Sequence, residues 1–182
     1  MDDRDTLYNT KEPYGAMFHC VQLSSAYRQS THKAKVLLLD LVYQYRGRNN
    51  GKLVLCPREK CLKDGFTVLD RTGLSETSLY RAAAELEARG LIVCTRRGNF
   101  LRQPSYYAIT WAPFDKTNVE YEFTGSLITP LHWWKKGPPD WYLNKLKDSS
   151  KTHQRIVEKT FGSQRDNQEG LTVSPENTEN VT

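Results

Sequence analysis

The sequence predicts a mixed α+β domain, and two observations support this. Between Leu69 and Gly90, apolar residues recur at helical spacing on both sides of a glycine at position 73. Directly afterwards the pattern changes to the alternation of extended strands, in two runs that an arginine-rich segment separates. Two helices joined by a tight turn and followed by a β-hairpin therefore form the predicted centre of the fold.

The chain before this centre predicts a flexible arm, a long helix and a small strand. Residues 1–16 are polar and lack periodicity, which is typical of a loose N-terminal arm. Residues 17–22 favour a short strand and residues 24–28 a short helix. A longer helix should begin after Ser30 or Thr31 and end near Gly47. Its predicted core face consists of Val36, Leu37, Leu39, Leu41, Val42 and Tyr45.

Residues 52–72 hold one small strand and an ambiguous helix. The apolar run at 52–55, after the Asn49–Gly51 turn, predicts a strand that pairs with the hairpin. Pro57 suits the first position of a helix, but Gly65 interrupts the helical spacing that follows. Either a kinked helix spans 57–72 or the helix comprises only Thr67–Thr72.

The second helix of the pair should run from Glu76 to Gly90. Ser75 is a suitable N-cap, and Gly90 is a suitable left-handed C-cap. The predicted core stripe consists of Leu79, Ala82, Ala83 and Leu86. The predicted outward side consists of Glu76, Thr77, Tyr80, Arg81 and Ala84. The hairpin strands are predicted at 91–95 and at Ser105–Trp111, which closes a domain over residues 17–112.

The C-terminal part is predicted to hold an extension and a tail. Residues 113–147 combine prolines with a short helix after Asp140 and a cluster of large aromatic residues, Trp133, Trp134, Trp141 and Tyr142. This cluster is predicted either to cover the core or to form an association patch, as a dimer seam or a protein-docking site. Residues 148–182 contain few apolar residues and are predicted to be largely disordered, or to form a helix only on contact.

The central segment can be compared with a known family. Residues Arg71–Ile92, with the turn glycine, the serine cap, the run AAAEL and the closing ARGLI, resemble winged helix-turn-helix domains of bacterial, plasmid and phage DNA-binding proteins. The flanking stretches LLLDLVYQYRGRNNGKL and SYYAITW are similar to those of a subgroup of mobile-element proteins. The resemblance covers about half the chain and implies a winged helix-turn-helix fold, with a three-helix core and a small antiparallel β-hairpin wing. It does not assign a role, because winged helices serve repressors, replication initiators and protein-binding modules.

The resemblance implies a DNA interface on the second helix and the wing. A recognition helix in the major groove distinguishes base pairs through short polar or cationic side chains on its first turns. The predicted base contacts are Ser75, Glu76, Thr77, Tyr80 and Arg81, of which Arg81 suits O6 and N7 of guanine. Phosphates or a narrow minor groove attract cations near the strand and the wing. The predicted residues there are Lys52, Arg58, Lys60, Arg96, Arg97, Asn99 and Arg102.

The charge distribution favours a polyanionic partner, with one opposing feature. The chain carries a net charge of +5, and residues 164–182 hold one arginine and four acidic residues, which leaves +8 on residues 1–163. Against this, the predicted recognition helix is net negative, because Glu76, Glu85 and Glu87 outnumber Arg81 and Arg89.

These observations together predict a sequence-specific double-stranded DNA-binding protein. It would act as a transcriptional regulator or replication accessory of a plasmid- or phage-type element. A homodimer is expected, because one winged helix reads only a short half-site. The alternative is a protein-interaction module, an adaptor or inhibitor that docks through the acidic helix or the aromatic cluster.

Catalysis, cofactors and membranes are not expected. Tyr142 and Lys145 have a spacing reminiscent of the nicking tyrosine of rolling-circle initiators, but the histidine pair that binds the metal in those enzymes is missing. The four cysteines lack a CxxC spacing, so neither a zinc site nor another metal site is predicted. No targeting segment or long apolar run is recognised, which predicts reduced thiols in a bacterial cytoplasm.

Overall fold

A computed structural model describes residues 17–45, 49–58, 60, 62, 64–98, 103–114 and 131–165. Within these residues the fold is mixed α+β, with eight helices and one three-stranded antiparallel sheet. The helices are α1 (His19–Gln22), α2 (Ser25–Arg28), α3 (His32–Tyr45), α4 (Val68–Thr72), α5 (Glu76–Ala88), α6 (Trp133–Lys136), α7 (Asp140–Ser149) and α8 (Lys151–Arg165). The strands are β1 (Leu53–Leu55), β2 (Ile92–Arg96) and β3 (Ser105–Ile109), in the spatial order β1–β3–β2.

Local capping signals account for the helix–turn–helix unit of α4 and α5. Thr67 and Asp70 form a reciprocal capping box, so α4 starts at Val68 and the shorter of the two predicted helices is confirmed. Gly73 ends α4 in the left-handed conformation, with φ of 65°. The Ser75 side chain accepts a hydrogen bond from the backbone N–H of Ser78, which starts α5 at Glu76 as predicted.

The sheet lies between two helical layers, each with its own core. On one face, α3, α4 and α5 enclose the main core, whose largest buried side chains include Leu37, Leu41, Leu79 and Leu86. Side chains alternate along a strand, so Val93 and Ala108 point to the opposite face. There they join a second core with Ala88, Phe114, Tyr142, Leu146 and Val157. Helices α7 and α8 therefore cover the back of the sheet.

Two predictions for the N-terminal half are wrong. Residues 17–22 contain α1 rather than a strand, although the helix predicted for residues 24–28 is confirmed as α2. On α3, Val36 and Leu39 are exposed, whereas Leu38 is buried in the main core. The apolar residues of α3 surround most of its circumference, so their spacing could not decide which of them face the core.

Of the two states predicted for the chain after residue 148, disorder is wrong for Lys151–Arg165, which form α8. Helix α8 packs against both α5 and α7, and Val157 is buried in the second core. This packing also corrects Ala84, which was predicted to face outward. Ala84 is buried, one turn before Ala88, on the side of α5 that faces the second core. The predicted arm at 1–16 and the end of the tail at 166–182 lie outside the described residues.

Gly90 lies against the start of α6, where Trp133 leaves no room for a side chain. Its φ is 69°, and a Cβ at this position would lie 2.7 Å from Trp133 Cβ and 2.8 Å from the Trp133 carbonyl carbon and oxygen. Gly73 shares the left-handed conformation, but a Cβ there would meet nothing within 4 Å. We expect Gly90→Ala to lower the free energy of unfolding by about 1–3 kcal/mol more than Gly73→Ala, because only Gly90 adds overpacking to backbone strain. Urea unfolding measures both variants, and equal losses would contradict this account.

Candidate nucleic-acid interface

The first turns of α5 present an accessible polar face. Ser75, Thr77 and Arg81 are exposed, and Tyr80 is 45% exposed. The intervening Leu79 is fully buried and fixes the rotation of the helix. Four of the five predicted base contacts are therefore open to solvent, with Ser75 at the N-terminal end of α5 and Thr77, Tyr80 and Arg81 on the side away from Leu79.

The fifth predicted base contact, Glu76, is engaged by Arg58. Arg58 Nη2 lies 2.7 Å from Glu76 Oε2, and Nε donates to the same oxygen at 2.9 Å. Both side chains are substantially exposed, so the pair contributes little to stability. Its effect is to hold the Arg58 guanidinium at the edge of the α5 face. Lys52 and Lys60 are exposed on the same segment of chain.

A groove of about 590 Å³ separates the start of α5 from the β2–β3 hairpin. Its walls are formed by Leu55, Cys56, Pro57, Arg58, Glu76, Tyr80, Gly98, Gln103, Pro104 and Ser105. Partial burial, and then the charge of Glu76, raise the pKa of the Tyr80 hydroxyl, which keeps it protonated as a hydrogen-bond donor at neutral pH. The predicted wing contacts Asn99 and Arg102 lie outside the described residues.

The two described arginines at the end of β2 have different surroundings. The Arg96 guanidinium lies over the Tyr106 ring, 4.1 Å from its centroid. Arg97 forms a two-point ion pair with Glu87, with Nη1 donating to Oε1 at 3.0 Å and Nη2 to Oε2 at 2.9 Å. Arg97, which was predicted to contact DNA phosphates, is thus held in an ion pair with a buried carboxylate of α5, and its phosphate contact stays a prediction.

Glu87 is the centre of a buried polar network. It is fully buried, and the Tyr142 hydroxyl donates to its Oε2 at 2.9 Å while accepting from the backbone N–H of Cys94. His153 Nε2 lies 3.5 Å from Glu87 Oε1. Burial alone would raise the pKa of Glu87, but Arg97 and then His153 act in the opposite direction, and the pKa falls below the ordinary value of 4.5. The network joins α5, the hairpin, α7 and α8.

Tyr142 is consequently unsuited to the nicking role that its spacing from Lys145 suggested. Its side chain is buried, and its hydroxyl is occupied by two hydrogen bonds. Burial and the neighbouring Glu87 raise the pKa of this hydroxyl well above its ordinary value. A phosphodiester cannot reach it without opening the second core.

The remaining acidic residue of α5 serves a structural purpose. Glu85 accepts hydrogen bonds from the backbone N–H of Thr31 at 2.9 Å and from its hydroxyl at 2.7 Å, which caps the start of α3. It also pairs with Arg89 at 3.2 Å. Glu85 and Glu87 are thus paired with cations and lie beyond the first turns of α5. The net negative charge of the helix is therefore not a property of its exposed face.

One cation at this face was missed by the sequence analysis. Lys33, at the start of α3, is exposed and donates from Nζ to Ser78 Oγ at 3.2 Å. Its ammonium group therefore lies beside the first turns of α5. No local pattern indicates this, because it depends on how α3 crosses α5.

The aromatic cluster mainly covers the core. Trp134 is buried in the main core and Tyr142 in the second, while Trp133 is half-buried and its ring lies tilted against that of Tyr142, with 4.8 Å between the ring centroids. Only Trp141 of the four is exposed, at 52%. The cluster is therefore not a continuous exposed patch, and the predicted association surface is reduced to one indole.

Comparison with known proteins adds no assignment: no family model, curated protein or solved structure matches the chain. Within the part of the chain that the structure describes, no helix is both long and apolar enough to cross a membrane. The same residues include no group of three or more His, Cys, Asp or Glu side chains placed to hold a metal ion.

Proposed function

We propose that this chain is a sequence-specific double-stranded DNA-binding protein with a winged helix-turn-helix fold. The main support is the exposed polar face of Thr77, Tyr80 and Arg81, with Ser75 at its N-terminal end, directly after a left-handed turn and beside a hairpin. The sheet order β1–β3–β2 and the placement of α4 and α5 between β1 and β2 support the winged-helix assignment.

The dimensions of α5 suit the major groove. Its 13 residues span about 20 Å, and its residues that contact the second helical layer, Glu87 and Ala88, lie in its last turn. The major groove is about 12 Å wide and admits one helix, with base edges contacted from the first turns. Arg81 would donate to guanine O6 and N7, and Thr77 would contact a thymine methyl group.

Cations on both sides of α5 support this orientation. Glu76 holds Arg58, and Ser78 accepts from Lys33. Residues two apart on a helix are about 200° apart around its axis, so the two cations flank opposite sides of the face. A helix in the major groove has a phosphate backbone on each side, and each cation would contact one of them.

The proposed biological role rests on the sequence resemblance to winged helix-turn-helix proteins, and not on the geometry of the site. We assign the chain as a transcriptional regulator or replication accessory of a plasmid- or phage-type element, acting as a homodimer in the bacterial cytoplasm. The alternative, a protein adaptor that docks through the acidic helix or the aromatic cluster, is less favoured. Glu85, Glu87, Trp134 and Tyr142 are engaged inside the fold, and an adaptor would need them accessible.

We expect Arg81→Ala to weaken binding to the preferred duplex by about 1–3 kcal/mol and to relax specificity at one base pair, because a bidentate base contact is lost. A preferred duplex is first selected from a random pool, and fluorescence anisotropy then measures affinity across a salt series.

Two further variants separate base contact from net charge. Arg155→Ala removes the same charge from an exposed position on α8 and should leave specificity unchanged. Lys33→Ala should weaken binding to all sequences alike and reduce the salt slope by about one. Failure to select any duplex, or equal effects of Arg81→Ala and Arg155→Ala, would count against the proposed function.

A further inference from the structure

A small recess lies beside α6, at the opposite end of α5 from the exposed polar face. It has a volume of about 150 Å³ and is lined by α2, by Arg89 at the end of α5, by α6, and by Thr160 and Phe161 of α8. Sites for small molecules usually have volumes of at least about 300 Å³. Duplex DNA, whose major groove alone is about 12 Å wide, cannot enter it. This α6 recess is therefore suited to the side chains of a polypeptide segment.

The surroundings of the α6 recess are basic. The elements that line it are α2, α5 with its cap Arg89, α6 and α8, which together hold nine lysines and arginines against four glutamates. Three of these glutamates, all on α5, are already paired with arginines. The fourth, Glu158, accepts a hydrogen bond from Gln154 of the same helix. The elements around the recess therefore carry more positive charge than their own carboxylates balance.

Two lysines of α6 are the cations of the recess that remain for an anionic partner. Lys135 and Lys136 are exposed in the last turn of α6, and neither pairs with a carboxylate of the described ranges. The Lys135 ammonium lies 5.2 Å from the centroid of the Trp134 ring. Arg89, in contrast, is already held by Glu85 at 3.2 Å and by Gln29 at 3.2 Å.

The indole of Trp134 indicates that a neighbouring segment belongs here. Trp134 lines the recess and is 7% exposed. Its indole N–H is buried and has no acceptor among the residues that the structure describes. Buried polar groups of folded proteins are nearly always hydrogen-bonded. The surroundings of α6 are therefore incomplete without a further part of the chain or a partner.

Three segments of more than ten residues lie outside the described ranges, and they differ in charge. Residues 1–16 hold four acidic and two basic residues, and residues 115–130 hold three acidic residues and one basic residue. Residues 166–182 hold four acidic residues and no lysine or arginine. The last segment is therefore the most acidic of the three and the best complement to the α6 lysines.

Residues 166–182 also follow the described fold at the recess itself. Helix α8 ends at Arg165, about 6 Å along its axis beyond Phe161, which lines the recess. Five residues of extended chain span about 16 Å. Residues 166–170 are therefore long enough to return from the end of α8 to Lys135 and Lys136.

We propose that residues 166–182 fold back over the α6 recess, where their carboxylates pair with Lys135 and Lys136. Single ion pairs at an exposed surface are weak. The contact forms nevertheless, because a short flexible connection to α8 gives the segment an effective concentration in the millimolar range. The inference goes beyond the proposed function and does not depend on it, since it concerns a contact within one chain.

Acetylation rates of single lysines, measured by mass spectrometry on the full chain without DNA, test this contact. One variant replaces the four acidic residues of the segment by amides: Asp166→Asn, Glu169→Gln, Glu176→Gln and Glu179→Gln. Lys135 and Lys136 should react at least about threefold faster in this variant, the factor that one exposed ion pair can supply. Lys147 is exposed on α7 and does not line the recess, so its rate should not change.

Two matched variants identify the segment responsible. The first neutralises the acidic residues of 1–16, through Asp2→Asn, Asp3→Asn, Asp5→Asn and Glu12→Gln. The second neutralises those of 115–130, through Asp115→Asn, Glu120→Gln and Glu122→Gln. Neither should change the rates of Lys135 and Lys136. The proposal is overturned by unchanged rates in the 166–182 variant, by an equal rise at Lys147, or by an equal rise in either matched variant.

Carbodiimide cross-linking, which joins a lysine amine to a carboxylate in contact with it, identifies the pairs. In an equal mixture of unlabelled and ¹⁵N-labelled chains, Lys135 or Lys136 should link to residues 166–182 of the same chain. If half of these links joined labelled to unlabelled chains, the segment would lie on a second copy. That result, or links of these lysines to residues 1–16 or 115–130 alone, would overturn the proposal.

Discussion

Replacement of Arg97 by methionine is expected to lower the free energy of unfolding by about 3–5 kcal/mol, because it removes the main charge partner of a buried carboxylate. Glu87 is fully buried, and Arg97 supplies two of its hydrogen bonds. Methionine keeps much of the side-chain volume, so the loss reports the ion pair rather than a cavity. Urea unfolding followed by circular dichroism measures it.

Two matched variants isolate the cause. Arg96→Met removes the neighbouring cation, whose described contact is the Tyr106 ring, and should cost no more than about 1 kcal/mol. In the double variant Glu87→Gln with Arg97→Met, the buried charge is gone and the Tyr142 hydroxyl can still donate to the amide oxygen. This variant should therefore recover a large part of the loss. A double variant as unstable as Arg97→Met alone would show that unpaired charge is not the cause.

The pH dependence of folding stability provides a second test of the Arg97–Glu87 ion pair. The pKa of Glu87 is lower in the folded protein than its ordinary value of 4.5, so its ionisation stabilises the fold above that pH. The stabilisation is lost as the pH falls below 4.5 and through the folded-state pKa. Without Arg97 the carboxylate is more easily protonated, and protonation relieves the unpaired charge. The stability difference between wild type and Arg97→Met should therefore narrow as the pH falls through the pKa of Glu87 in the variant and then through its lower pKa in the wild type.

The elements predicted correctly are those whose signals lie within a few residues of one another. Ser75 and Gly73 fix the turn between α4 and α5, because a side-chain cap and a left-handed residue act on the adjacent backbone. Thr67 with Asp70 resolves the ambiguous helix in the same way. The accessible α5 face follows from this turn together with the buried Leu79.

The contacts that the sequence did not predict join distant segments of the chain. The partner of Arg97 is on α5, and the surroundings of that pair come from α7 and α8, more than 40 residues further along the chain. Lys33 meets Ser78 only because α3 crosses α5. An arginine near a hairpin tip has the same local sequence whether it faces DNA or a carboxylate, so local patterns could not separate Arg97 from Arg96.

Helix α8 differs from these contacts, because its amphipathic spacing was present in the sequence. Its composition is polar, which favoured disorder. Yet the side chains that are buried or half-buried, at positions 153, 156, 157, 160 and 161, follow the i, i+3, i+4, i+7, i+8 template of an amphipathic helix. Three of these five are apolar, Ile156, Val157 and Phe161. The positions of the apolar residues around the helix, and not the average composition of the segment, decide that it folds.

Val157→Asp is expected to lower the free energy of unfolding by about 3–5 kcal/mol, because it places an unpaired charge in an apolar core. Val157 is 2% exposed and packs with Leu146, Val93 and Ala108 at the back of the sheet. Lys159→Asp, at an exposed position on the same helix, introduces the same residue in contact with water and should change stability by no more than about 0.5 kcal/mol.

Urea unfolding measures both variants, and tryptophan fluorescence reports the second core through Trp133. If residues 151–165 were an unstructured tail, the two substitutions would be equivalent and the fluorescence would not change. A large effect of Val157→Asp alone would therefore show that α8 is part of the layer that holds the hairpin against α5.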